Sequence, residues 1–127
     1  MNRTQYIPYS DEIRQLIRKK SGVLFSAHKR KDDGFLEEAS ALFNEAAEQE
    51  IRIAHLLEAS GHKEDAFISW VSAASCYMNA GDFSRAGKLF EFILTKNIRP
   101  RLRREVKKFK KRCETESKRK QKIRRAG

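Results

Sequence analysis

The stretch FISWVSAASCYMNAGDFSRAGKLF, residues 67–90, decides the fold. Its first half sets Trp70, Ala73, Ala74 and Tyr77 three or four residues apart, the interval that gathers side chains on one face of a helix. Gly81 then offers the left-handed conformation that ends a helix, and Asp82 is a ready N-cap for the next one. Ala86 and Phe90 follow four residues apart on that second helix, where a small residue lets two helices approach closely. The stretch therefore reads as a helical hairpin. Trp70, Tyr77, Phe83 and Phe90 are its expected core, each contributing about 2 kcal/mol of transfer free energy on burial.

Upstream, Gly61 and Ala66 repeat the spacing of Gly81 and Ala86, so the same connector is expected there. Between Phe35 and Ser60, Leu36, Ala39, Leu42 or Phe43, Ala46, Ala47, Ile51 or Ile53, Ala54 and Leu57 form one broad apolar face. Glu37, Glu38, Glu45, Glu48 and Glu50 lie mostly on the others. Earlier still, Ser10 is an N-cap with Asp11 and Glu12 in the first turn. Ile13, Leu16, Ile17, Leu24 and Ala27 continue that helix past a weakening Gly22, and Asp32-Asp33-Gly34 reads as a turn. The arm 1–9 has no helical period, although Tyr6, Ile7 and Tyr9 could dock on the body.

Downstream, helices over 63–80 and about 83–96 precede Pro100, which suits a first helical position. A fifth helix from Arg101 carries the narrow stripe Leu102, Val106, Phe109 and Cys113. Beyond it only Ile123 is a large apolar residue in a polar run, so 114–127 is expected to fray as a basic tail. The expected fold is all-α: a short α-hairpin stack of about five helices, divided into an arm and helix (1–34), a helical domain with a capping helix (35–113) and the tail (114–127).

Residues 67–100 resemble a tetratricopeptide repeat, a helical hairpin of about 34 residues with the pattern W-x2-L-G-x2-Y, A-x3-F, P. Trp70, Ala74 and Tyr77 stand at the Trp, Gly and Tyr positions, and Ala86 and Phe90 at the Ala and Phe positions. Ala73 replaces the usual Leu, and Pro100 comes about two residues late. The region 35–66 keeps helical period without the motif. The resemblance implies a partner groove along the first helix, lined by Ile68, Val71, Ser72, Ser75, Met78 and Asn79 and suited to an amphipathic helix of another protein. The basic clamp that some family members use for a terminal carboxylate is missing, since Ser75 stands where Asn is expected and no Lys or Arg is near.

Charge is unevenly placed along the 127 residues. Residues 1–31 hold eight Lys/Arg against two Asp/Glu (+6), residues 32–60 one against eight (−7), residues 61–100 five against four (+1), and residues 101–127 fourteen against three (+11). The last segment supplies the candidate polyanion ligands: Arg101, Arg103, Arg104, Lys107, Lys108, Lys110, Lys111, Arg112, Lys118, Arg119, Lys120, Lys122, Arg124 and Arg125. Spaced cations suit phosphates without reading sequence, so nucleic acid or a ribonucleoprotein is the leading partner for this end. An acidic protein, an anionic lipid surface, a nuclear-import receptor and the chain's own acidic helix 35–60 are the other readings.

No chemistry-bearing motif supports an enzyme, and no cofactor is expected. His55, Glu58 and His62 have metal-like spacing, but Gly61 should end the helix before His62. His28 sits among lysines and reads as an exposed polar residue. No strand precedes a glycine cluster to form a phosphate loop, and neither Cys76 nor Cys113 has a His at a recognisable spacing. Two unpaired cysteines, no signal-peptide run and no transmembrane segment lead to an expectation of a cytoplasmic protein, with the nucleus open if the source is eukaryotic. The functional expectation is a non-enzymatic protein–protein adaptor whose polybasic tail engages a polyanion. The alternative is a sequence-nonspecific DNA- or RNA-binding protein that uses its helical body as scaffold.

Overall fold

The computed structural model describes residues 7–126 and is all-α, with no strand among the described residues. The elements are α1 (Asp11–Asp32), α2 (Leu36–Ala59), α3 (Lys63–Asn79), α4 (Phe83–Leu94) and α5 (Pro100–Ala126). Each packs mainly on the next in the chain. Among the described residues no helix is long and apolar enough to cross a membrane.

Side-chain caps start α1 and α4, while α2 and α3 begin at Phe35 and His62 without one. Ser10 Oγ accepts from the Ile13 amide at 3.2 Å, and Asp82 Oδ1 accepts from the Arg85 amide at 3.1 Å. The first three connections close alike. Gly34, Gly61 and Gly81 all have positive φ, and the residue after each donates to a carbonyl five positions back: Phe35 to Arg30, His62 to Leu57 and Asp82 to Tyr77. This left-handed closure satisfies the last carbonyls of each helix and turns the chain within three residues. Gly22 does not interrupt α1, because it faces open space.

The core runs through the stack. Trp70, Ala74 and Tyr77 of α3 meet Ala86, Phe90 and Ile93 of α4, Ala46, Ala47 and Ala54 of α2, and Val106 and Cys113 of α5. Phe83 is only half-buried, with the Lys120 ammonium 5.1 Å over its ring. Ile13 joins Ile53, Leu57 and Ala66 in a second cluster, and Ala27 joins Ala39 and Phe43 in a third. In the arm, Tyr9 donates to Asp65 and sets its ring edge-on to His62 at 4.8 Å, whereas Ile7 stays exposed; Tyr6 lies outside the described residues.

Two expectations need correction. Glu50, assigned to a polar face, is 4 % exposed and pairs with Lys20 of α1 at 3.0 Å. Burial pushes its carboxyl above the usual range, and the Lys20 hydrogen bond and charge oppose that shift. In addition, the fifth helix does not end near Cys113 but continues to Ala126. Residues 114–126 contain no proline or glycine and are mostly good helix formers, and Ser117, Lys120, Gln121 and Arg124 lie along the α3–α4 turn.

Candidate polyanion-binding face

Helix α5 presents two opposite sides. The packed side carries Leu102, Val106, Phe109 and Cys113, as the stripe requires, with Phe109 stacked on Phe90 at 5.6 Å. Gly87 of α4 lies against it, where an added Cβ would meet Cys113 Cβ at 3.5 Å in ordinary contact. The other side holds Arg101, Arg104, Lys108, Lys111, Thr115, Lys118, Lys122 and Arg125, all exposed. Successive members are three or four residues apart, so seven cations and one threonine form a single file of about 36 Å. Lys107, Arg112 and Arg119 are exposed along its flanks.

Five of the fourteen expected ligands are engaged within the protein: Arg103, Lys110 and Lys120 away from the file, and Lys108 and Arg119 with glutamates of their own helix. Arg103 donates to the carbonyls of Leu94 and Lys96, each at 3.0 Å, and so caps the end of α4, which has no glycine to close it. Lys120 donates to the Gly81 carbonyl. Lys110 is half-buried and pairs with Glu114 at 3.0 Å, a hydrogen bond and charge that raise its pKa. Arg124 lines the recess beside the α3–α4 turn.

Six of the file's seven cations have no carboxylate partner among the described residues. The carboxylates paired with α5 cations are its own: Glu105 with Lys108 at 3.7 Å, Glu114 with Lys110, and Glu116 with Arg119 at 3.9 Å. The acidic helix α2 is served instead by α1, through Lys20–Glu50 and Arg30–Glu38. Among the described residues no ion pair joins α5 to α2.

The expected groove residues lie along α3 without forming one open surface. Ile68 and Asn79 are exposed, while Val71, Ser72, Ser75 and Met78 are half-buried, with Val71 and Met78 packed against the core. Ile68 is 66 % exposed and lines a cleft of about 280 Å³ with Glu64, Phe67, Asn97, Ile98, Arg99 and Leu102. The α4–α5 connection that forms one wall of this cleft carries no sequence motif, so only its apolar Ile98, next to Leu102 of α5, hinted at it.

The metal-like triplet is engaged in packing. Glu58 accepts from the Trp70 indole at 2.7 Å, His55 meets the Trp70 ring edge-on at 4.9 Å, and His62 lies beyond the end of α2 against Tyr9. Among the described residues no group of three or more His, Cys, Asp or Glu is placed to hold a metal ion. His28 is exposed and lies edge-on to Phe43 at 5.0 Å. Cys76 and Cys113 are buried free thiols. Burial, the Glu50 charge and an opposing Lys20 leave Cys76 at about 11, and burial also raises Cys113.

Comparison with protein-family models, curated proteins and solved structures yields no match to this chain, so the functional argument rests on the face itself.

Proposed function

We propose that this protein is a non-enzymatic nucleic-acid-binding module in which α1–α4 hold α5 so that its cationic file faces a phosphate backbone. The observation that carries the reading is the file itself: seven exposed cations on one side of α5, with no acidic helix paired to them. Such a row releases counterions as it neutralises phosphates, which supplies affinity without base reading. The test is binding of the full chain to mixed RNA and duplex DNA across a salt series. Seven phosphate contacts give a log–log slope near −6, or about three to four decades of affinity between 50 and 200 mM salt. No binding at low salt sinks the reading.

A second reading, the adaptor, is favoured by the cleft beside Ile68 and by the repeat-like hairpin at 67–100. It expects a protein partner, supplying an amphipathic helix, whose binding survives high salt because apolar burial is not screened. Loss of that binding in Ile68→Asp, with salt-sensitive nucleic-acid binding intact, is its expected signature. A partner held equally by wild type and Ile68→Asp would refute it.

A further inference from the structure

Resting on the nucleic-acid reading of α5, we propose that the file takes the double helix in particular, gripping about one turn of duplex by its phosphates and reading neither base nor sugar. Four observations converge. First, the file offers no stacking platform: Phe109 faces inward onto Phe90, and Ile123, exposed at the flank, has no π-face. Single strands gain much of their affinity from bases stacked on aromatic side chains, so a bare cationic row favours phosphates that are already fixed in place. Second, the file runs along one unbroken helix held by the body. A preorganised array of cations meets the rigid array of a duplex without ordering a flexible strand.

Third, one side of α5 is closed to the major groove. That groove, about 12 Å wide, admits a bare helix of 10–12 Å diameter. Here α4 lies against the Val106–Cys113 side, and the 80–84 turn lies against Ser117, Lys120 and Arg124. Contact is therefore made by the outward file, which holds no Asn, Gln, Asp or Glu to read adenine or cytosine edges. Fourth, the one hydroxyl in the file is engaged: Thr115 donates to the Lys111 carbonyl at 3.1 Å. Its proton is taken, so a ribose 2′-OH can reach only its lone pairs, one contact along the whole file, and DNA and RNA duplexes are expected to serve alike. At 3.4 Å per base pair, the file of about 36 Å covers about ten base pairs.

The experiment measures anisotropy of the full chain with labelled duplex DNA, duplex RNA and non-pairing single strands of about 16 nucleotides, plus DNA duplexes of about 6 and 10 base pairs, across salt. Duplex DNA and RNA are expected within about threefold of each other and the single strand at least about tenfold weaker, with affinity per site levelling off near ten base pairs. Arg104→Gln/Lys111→Gln/Lys122→Gln should flatten the salt slope by about 3. Arg14→Gln/Arg18→Gln/Lys19→Gln, which removes equal charge from exposed α1 positions, should change it by less than about 1. Single strands binding as tightly as duplex overturn the duplex inference and leave the nucleic-acid reading standing. A tenfold or greater preference for one duplex type or sequence overturns the phosphate-only grip. Binding of nothing, or equal losses in the two triple variants, overturns this inference and the reading beneath it together.

Discussion

Replacing Lys20 by Met isolates the buried ion pair that joins α1 to α2. Glu50 is 4 % exposed and Lys20 is 3.0 Å from it, so the substitution leaves a carboxylate in the core without its cation. Breaking a buried pair from one side costs about 3–5 kcal/mol when the remaining group stays charged. The loss is capped because Glu50 can take up a proton. Its pKa is already raised by burial, and without the opposing effects of Lys20 it rises further. A raised carboxyl pKa means the native state holds its proton more tightly than the unfolded chain. That stability is fully present below the unfolded pKa and is lost as pH rises through the native one. The variant should therefore lose least near pH 4 and most at pH 8. In a domain this size the pH 8 loss corresponds to about 10–20 °C in Tm. Thermal melts by circular dichroism at both pH values, with exposed Lys19→Met as control, measure it. The double variant Lys20→Met/Glu50→Gln should recover most of the deficit. A pH 8 melt within about 3 °C of the Lys19→Met control, or a larger loss at acid pH than at pH 8, would show that Glu50 does not depend on Lys20.

Four further outcomes follow from single positions. Gly22→Ala should stabilise by about 0.5–1 kcal/mol in chemical denaturation, because the site is helical and faces open space; Gly61→Ala should destabilise by about 1–2 kcal/mol, since its positive φ strains any side chain although space is free. Phe90→Ala should cost about 3–5 kcal/mol, as its ring is fully buried between α3 and α5. Cys76, with its pKa near 11 and its sulfur buried, should resist a thiol reagent at pH 8 under native conditions and react at once in denaturant.

Helix boundaries were legible in the sequence because they depend on local chemistry. Gly61, Gly81, Ser10, Asp82 and Pro100 mark helix ends through backbone conformation or a side chain three residues from its partner. The packing side of α5 was legible as well, since Leu102, Val106, Phe109 and Cys113 keep one period. What remained hidden depends on contacts distant along the chain. Glu50 looked solvent-facing because its partner Lys20 belongs to another helix. Arg103 and Lys120 looked like every other cation in their run, yet one caps α4 and the other grips the turn at Gly81. The extension of α5 was hidden too, because its support comes from residues 80–84, more than thirty positions earlier. For the candidate site, charge density was visible in composition, while the ordering of seven cations into one line needed the helix to be continuous.

That continuity puts the file under strain of its own making. Lys118 and Lys122 stand four apart, as do Arg104 and Lys108, so like charges face each other along one side of a helix, an arrangement that destabilises it by a few tenths of a kcal/mol per pair. Added salt shortens the range of that repulsion and also weakens attraction to an external polyanion. The same residues should thus respond to one variable in opposite directions: helicity of the last turns climbs with ionic strength while affinity falls, and a bound polyanion should quiet the repulsion at low salt, where it grips hardest.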